Sequence, residues 1–493
     1  MKHDLLKQVI LDQHEVIRRA EIIPRAISLL PDINQVVTGI RRAGKSTLLY
    51  DLVKRLVADG VDWNRIIYIN FEDERLAEMT AADLNDILAV QSEMSDQRGY
   101  FFLDEIQNIP GWEKFARRMA DRKESVQITG SNAKMLSREI SSTLGGRYLE
   151  KNIWPYSFDE YLNAIGTPHG ENELIETVAH GRVRAGCNSY LKEGGLPEAL
   201  RYPSKRDYIS SVYQKILLGD IVTRNNIRNS NAVALLIKKI AETVMREVSY
   251  ANLYGNLKAI GVKISKDTII EYVGYIMESY LIFKVYNHYS AFAERETTPK
   301  YYFADNGLLN LFLTDKKSAL LENAVAIYLK QHYGDEVCYI KSSVTRLDID
   351  FYIPSEQTAI QVCLDLNDQS SDRETGNLLK ASSLMPDLNR LVIVTSEGTP
   401  SKHPDYPEID SIPIDVYPSS NCKKAPAKHF ARAETEWPIF ESITKKNVQD
   451  LLFSFLTQTC HFGAFGMGSC LIHARITLRC VIRQHTMRIA TMI

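Results

Sequence analysis

The sequence predicts an α/β protein: a parallel sheet with helices on both faces, then a helical region, then a second α/β unit. Three observations predict it. Through residues 1–156, short apolar runs that read as buried strands (INQVVTG, RIIYINFED, GYFFLDE, SVQITGSN) alternate with helical segments, the pattern of a sheet covered on both sides. From Pro155 the chain turns helical and tyrosine-rich up to about residue 290. Strand-like runs then return between residues 291 and 418.

Residues 4–30 read as helical, with Leu5, Val9, Ile10 and Ile17 at apolar positions, until Pro31 and Asp32 break the pattern. INQVVTG is the first buried strand. A glycine-rich turn and the helix STLLYDLVKRLVADG follow, with Gly60 as its C-cap. RIIYINFED ends in acids, a helix is expected near residues 81–92, and GYFFLDE and SVQITGSN are two further strands. In residues 157–290, one amphipathic helix is expected over 234–247 and a shorter one over YANLYGNLKAIG. Ser265 caps a third, KDTIIEYVGYIMESYLI. FKVYNHY closes the region as a strand, and three helices followed by a strand is a winged-helix-like order. In residues 291–418, the helix LLENAVAIYLKQHYG precedes the strands CYIK, LDIDFYIP, TAIQVCLDL and NRLVIVTS, the order of a restriction-endonuclease-like α/β domain. The tail, residues 419–493, has no acid after Asp450, carries four of the seven cysteines and lacks periodicity. It reads as poorly ordered or non-native.

At about 150 residues per domain, 493 residues suggest roughly three domains. A composition 45% hydrophobic and 24% charged is that of a globular chain. A net charge of -2 excludes a polyelectrolyte role, so contact with nucleic acid would need a local basic face. Seven cysteines without a CxxC pair fit a reduced, cytoplasmic setting. The acids and polar residues of MKHDLLKQVILDQHE exclude an ordinary signal peptide. Leu451–Ala474 is uncharged, but its histidines, glycines and hydroxyls argue against stable membrane insertion.

The turn after the first strand, GIRRAGKS at residues 39–46, fills every position of G-x-x-x-x-G-K-[ST]. Gly39 and Gly44 let backbone N–H groups converge on phosphate oxygens. Lys45 reaches the β- and γ-phosphates, and Ser46 offers its hydroxyl to magnesium. Arg42 and Thr47 complete the expected nucleotide-binding set, and the following helix presents its positive end to the phosphates. YFFLDE places Asp104 and Glu105 at a strand end two βα units downstream. Asp104 is expected to hold magnesium and Glu105 to activate the attacking water. VQITGSN puts Ser131 and Asn132 at a neighbouring strand tip, where Asn132 is expected to bond the γ-phosphate or the water. Arg138 and Arg147 follow, and Arg147 is the preferred arginine finger, acting in cis or from a neighbouring subunit of an oligomer. These residues make ATP and Mg2+ the expected ligands and ATP hydrolysis the expected reaction.

GIRRAGKSTLL, YINFED, FFLDEIQNIPGWEKFARRM, ITGSNAKMLSREISSTLGGRY and EGGLPEAL, in that order, resemble the bacterial and archaeal AAA-type P-loop ATPases that carry the C-terminal domain of unknown function numbered 4143. KYYFADNGLLN and LLENAVAIYL are similar to that C-terminal domain. The resemblance covers about residues 15–418 and implies the fold and ATP binding rather than a biological role.

The C-terminal unit offers Glu322 on its helix and Asp350 on a strand as nuclease-like carboxylates. The next strand reads Gln361-Val362-Cys363 where Glu-x-Lys is needed. The expectation is a nuclease-like fold without nuclease activity. Lys238, Lys239, Lys258, Lys263 and Lys266 make DNA a candidate partner, but Asp267, Glu271 and Glu278 give the third helix the look of a packing helix. The tail's Cys460, His461, Cys470, His473, Cys480 and His485 match no zinc spacing. The favoured function is an ATP-driven switch acting on an unidentified protein partner or on DNA. An ATP-dependent DNA-processing enzyme or nuclease is the alternative.

Overall fold

The computed structural model describes residues 3–133, 142–170, 176–314, 317–366, 368–398, 401–403 and 405–417. Arg138 and the tail from residue 419, with its apolar segment and its cysteine and histidine set, lie outside the described residues.

The first unit is a five-stranded parallel sheet. Its strands are β1 (Gln35–Thr38), β2 (Ile66–Asn70), β3 (Tyr100–Asp104), β4 (Ser125–Gly130) and β5 (Leu149–Asn152), in the order β2-β3-β4-β1-β5. The strands alternate their burial between two cores, as period-two geometry requires. Val36, Ile67, Ile69, Phe101, Leu103, Val126 and Ile128 face one layer, packed with α1 (His3–Arg19), α3 (Asp86–Met94) and α4 (Trp112–Asp121). Val37, Ile66, Tyr68 and Phe102 face the other, packed with α2 (Lys45–Ala58) and with residues of the later regions. Because β4 lies between β1 and β3, its tip sits between the phosphate loop and the acid-bearing strand end.

The first helix is shorter than the expected 4–30, stopping at Arg19. Pro24 disfavours helix in the residue before it and cannot donate a helical hydrogen bond. Residues 20–30 instead run irregularly and line a cavity beside the loop. The helix expected at 81–92 begins at Asp86.

The helical region contains α5 (Phe158–Ala164), α6 (Thr177–Glu193) and α7 (Lys205–Lys215), which runs into a π-helical segment, Ile216–Thr223. Then come α8 (Ser230–Glu242), α9 (Tyr250–Ala259) and α10 (Lys266–Glu278). α8 ends five residues before the expected 247; Met245, at φ 80, turns the chain there. Ser265 does cap α10, accepting the Thr268 N–H at 3.1 Å.

β6 (Ile282–Asn287) pairs antiparallel with β7 (Lys300–Phe303), and Glu247 bridges to Lys300. β6 also pairs with β8, so it belongs to the sheet of the last region rather than closing the helical one. That sheet has eight strands: β6, β7, β8 (Cys338–Ser342), β9 (Leu347–Ile353), β10 (Thr358–Cys363), β11 (Arg390–Thr395), β12 (Ser401–Lys402) and β13 (Ile409–Pro413). α11 (Lys317–Tyr333) precedes the antiparallel β8-β9-β10 meander. α12 (Asp368–Leu384) then leads to β11, parallel to β10. One apolar cluster runs from Val37 and Leu49 through Ile237 and Val273 to Tyr339, Ile360 and Val392. Among the described residues, no helix is long and apolar enough to cross a membrane.

Candidate nucleotide-binding site

The loop after β1 closes around a backbone that only glycine can form at its first position. Gly39 has φ 144, and a Cβ there would stand 2.0 Å from the Ile153 carbonyl oxygen. Gly44, at φ 97, precedes the first residue of α2. Lys45 is almost fully buried and folds back over the loop, donating to the Gly39 and Ile40 carbonyls at 3.1 and 3.2 Å. Its ammonium lies 3.6 Å from a Glu105 oxygen.

Asp104 is wholly buried at the end of β3. It accepts hydrogen bonds from the Tyr68 hydroxyl at 2.5 Å, from Thr129 Oγ1 and from Ser46. Burial and the neighbouring Glu105 charge push its pKa up, against the pull of these three donors. Glu105 goes the other way. Burial would raise it, but Lys45, Gln107, Arg41 and Ser131 together hold it lowered. Two adjacent carboxylates are thus driven apart in acidity by their surroundings. Glu105 has φ 55, left-handed backbone that a glutamate adopts at a cost. Its N–H donates to Thr129 Oγ1 at 3.0 Å, so one threonine ties both acids to the β4 tip.

Three arginines brace the loop against acids that follow in sequence. Arg25 bonds Glu160 at 2.8 Å and the Ala43 carbonyl at 3.0 Å. Arg41 grips Asp220 with two bonds, 2.8 and 3.0 Å, and Glu72 at 2.9 Å. Arg42, exposed and at φ 66, pairs with Glu198 at 3.1 Å. Beside Gly44, Thr47 and Leu48 lies a cavity of about 280 Å³ lined also by Ile22, Pro24 and Tyr156.

The sequence that builds this site is similar to that of known proteins. Residues 34–162 match the family described as AAA domain, and residues 185–319 match a domain of unknown function, DUF8612. The sequence resemblance had pointed to the domain numbered 4143 for the C-terminal part. An uncharacterized protein of Methanocaldococcus jannaschii is 32% identical over 406 residues, covering 80% of this chain and 89% of its own. The chain belongs to that protein's family. An uncharacterized protein of Haemophilus influenzae is 28% identical over 392 residues, 78% of this chain and 92% of its own. Among solved structures, the Walker-type ATPase paby2304 of Pyrococcus abyssi aligns at 14% identity over 62% of this chain and 94% of that one, with a TM-score of 0.33. The AAA-domain match over residues 34–162 implies nucleotide binding.

In this AAA-domain protein, Gly39, Gly44, Lys45, Ser46, Asp104, Glu105 and Ser131 come together at one end of the parallel sheet. Asn132, buried, follows Ser131 at the β4 tip. Arg147 is not brought to the loop within the chain. It precedes β5, at the opposite ends of the strands from the loop, bonded to Asp121 at 2.5 Å, among Asn34, Tyr100 and Ser125. Its closeness in sequence to the β4 tip is misleading, because the chain travels the length of the sheet before β5 begins. The guanidinium near the β4 tip belongs to Arg224, whose Nη2 is 3.5 Å from Ser131 Oγ. Neither Arg224 nor its partner Asp220 bears a local motif that could have marked it.

A second buried charged cluster lies in the C-terminal sheet. Lys300, from β7, stands 3.7 Å from Glu322 and 3.6 Å from Asp350. Tyr302 donates to Glu322 at 2.7 Å. Gln361 is consumed by the fold: its oxygen accepts the Asp350 N–H at 2.7 Å, and its amide donates to the Asp348 carbonyl at 3.0 Å and to Glu374 at 2.7 Å. Cys363 is buried and free. The sequence comparison of strand with strand missed Lys300 and Glu374, which arrive from a hairpin and a helix. Among the described residues, no group of three histidines, cysteines or acids is placed to hold a metal ion.

Proposed function

We propose that this AAA-domain protein binds ATP with Mg2+, hydrolyses it, and uses the cycle as a switch acting on a protein partner in the cytoplasm. The observation that carries this reading is Lys45, Asp104, Ser46 and Glu105 assembled around one glycine turn, with Ser46 bonded to Asp104. A hydroxyl and a carboxylate side by side suit a hard cation that takes its remaining ligands from phosphate and water. Held by Ser46 and Asp104, such a cation would supply neutralisation of the phosphate charge. The chain's own groups do the rest. Backbone N–H groups of residues 40–46 and the Lys45 ammonium hold the phosphates, Lys45 leaving the Gly39 and Ile40 carbonyls to do so. Glu105, kept ionised beside Lys45, takes the proton of the attacking water. Ser131 and Asn132 orient that water and the γ-phosphate from the β4 tip.

Residues 1–156 form the ATPase unit in this reading, 157–290 the winged-helix-like region and 291–418 the restriction-endonuclease-like one. The three helices α8–α10 in succession, and the α11-β8-β9-β10-α12-β11 order, support those names. Lys266, Asp267, Ile270 and Glu271 form the exposed face of α10. Mixed charge with an exposed isoleucine favours a protein partner over the DNA major groove. Nuclease activity is disfavoured because β10 carries Gln361 and Cys363 where Glu-x-Lys is needed, and Gln361 is engaged by the Asp350 N–H, the Asp348 carbonyl and Glu374.

Replacing Lys45 with Ala should abolish ATP binding, and unchanged affinity would defeat the reading. Glu105→Gln should keep binding and lose phosphate release; a normal rate would remove the general-base assignment. Plasmid cleavage with Mg2+ and ATP that disappears in Asp350→Ala would overturn the inactive-nuclease reading.

A further inference from the structure

The phosphate loop and the strand-end acids occupy one end of the parallel sheet. At the other end, Arg65 precedes β2, Tyr100 opens β3 and Ser125 opens β4. These strand starts enclose a cavity of about 440 Å³, lined by Arg65, Arg98, Lys123 and Arg147 with the acids Asp32 and Glu124. Ligands of open α/β sheets ordinarily sit at the carboxyl ends of the strands, and the nucleotide chemistry proposed above uses nothing on this side.

The cations here outnumber the acids that could satisfy them. Glu124 is shared by Arg98 at 3.4 Å and Arg122 at 3.8 Å. Asp121 is shared by Arg147 at 2.5 Å and Arg117 at 3.9 Å. Arg65 and Lys123 have no carboxylate partner among the described residues. Arg65 donates to the Arg98 carbonyl at 2.9 Å and lies 5.3 Å over the Tyr100 ring. In a chain of net charge -2 this is a local basic face. Lys123 is exposed and ends α4 in left-handed backbone, φ 59. Its N–H bonds the Ala120 carbonyl, and the Glu124 N–H bonds the Met119 carbonyl. That closing turn usually takes glycine, so the lysine is kept at a backbone cost. Attraction to the helix end accounts for Arg122 and Lys123, but Arg65 and Arg98 flank other strands. Ile33, 37% exposed, and the Tyr100 ring add apolar surface to the same cavity.

We propose that this face binds single-stranded nucleic acid. Arg65, Arg98 and Lys123 take successive backbone phosphates, and a base rests on Ile33 and the Arg65–Tyr100 stack. Cations interleaved with a ring and a stacked guanidinium suit a strand of any sequence, since every base has a flat face. An acidic peptide would use the charge but not the stack, and a concave wall admits a flexible strand rather than a rigid duplex. The site is independent of the phosphate loop and gives the protein a second kind of partner.

The test uses the full chain and labelled oligothymidine and oligouridine of about 12 nucleotides, followed by fluorescence anisotropy at several salt concentrations. The two probes tell DNA from RNA, and binding of either carries the proposal. The logarithm of affinity should fall against that of salt with a slope of about -2, the value for three phosphates on a single strand. Arg65→Gln combined with Lys123→Gly should weaken binding roughly tenfold and flatten the slope by about 1.4. Glu124→Gln should tighten binding. Lys123→Gly alone relieves the backbone turn, so its melting temperature should equal or exceed that of wild type, which separates lost binding from lost folding. Lys45→Ala should bind the oligonucleotides as wild type does. No binding by wild type, or unchanged affinity in the double variant, would overturn the proposal. So would poly-glutamate or a duplex competing as well as the single strand. Loss of phosphate release in the double variant with oligonucleotide binding kept would assign the face to a neighbouring copy's nucleotide and overturn it too.

Discussion

Removing one oxygen atom, in Tyr68→Phe, tests how the site keeps Asp104 in working order. Tyr68 and Asp104 are both fully buried, and the hydroxyl donates at 2.5 Å. The ring stays in place against Phe102 and Tyr50, so the substitution opens no cavity large enough to matter. What changes is that one carboxylate oxygen loses its donor and the Tyr50 hydroxyl loses its bond to Tyr68. Bonds to charged groups contribute about 1.5–3 kcal/mol, and a stranded buried acceptor costs a similar amount, so a loss of roughly 2 kcal/mol in folding stability is expected. The second effect is on ionisation. Burial and Glu105 already raise the Asp104 pKa, and the Tyr68 bond is one of the groups pulling it down. Without that bond it rises further, so the acid limb of the phosphate-release profile should move to higher pH. Urea unfolding measures the first effect and rates at a series of pH values the second. A variant as stable as wild type, with an unmoved acid limb, would refute the claim that Tyr68 holds Asp104 ionised.

Three further outcomes follow from the buried charges. Since the folded-state pKa of Asp104 is raised, its favourable contribution is complete below its ordinary value of 3.8 and is lost as pH climbs through the folded value. Asp104→Asn should then be at least as stable as wild type near neutral pH while losing ATP hydrolysis; a clear loss of melting temperature would contradict this. Lys300→Met would leave Glu322 and Asp350 facing each other without a cation, at a cost of about 3–5 kcal/mol, measurable by urea unfolding. Burial, with the Asp350 charge next, pushes Glu322 up to about 7 from 4.5. Its contribution is therefore present below about 4.5 and disappears as pH rises through about 7, and Glu322→Gln should flatten the melting-temperature profile across that window.

The phosphate loop and the strand-end acids were readable because their chemistry is local: eight consecutive residues make the loop, and apolar runs ending in acids make the strand tips. Individual helices and strands of the later regions were likewise legible from periodicity and caps such as Ser265, whereas the membership of β6 in the C-terminal sheet was not. What the sequence hid is contact over distance. Asp220 meets Arg41 across 179 residues, through a π-helical segment whose composition, ILLGDIVT, resembles any buried helix. Lys300 reaches Glu322 and Asp350 from a hairpin strand, so a strand-by-strand comparison counted a missing lysine without seeing a replacement cation. Arg147 was chosen by nearness along the chain, yet a parallel sheet carries the chain to the opposite strand ends before the next strand begins, so within one chain Arg147 stands away from the loop and the role left open to it is one played from a neighbouring subunit. Pro24 was the overlooked signal in the first helix, which ends before it.

The apolar interior that begins under β1 and α2 continues without a break to Ile360 and Val392. Cutting the gene after the fifth strand would therefore bare a greasy flank and yield an insoluble fragment, and dissecting this protein piece by piece would mislead. Its parts are better probed by single substitutions in the intact polypeptide, and any partner that loosens the C-terminal strands would be felt at the opposite end of the same interior.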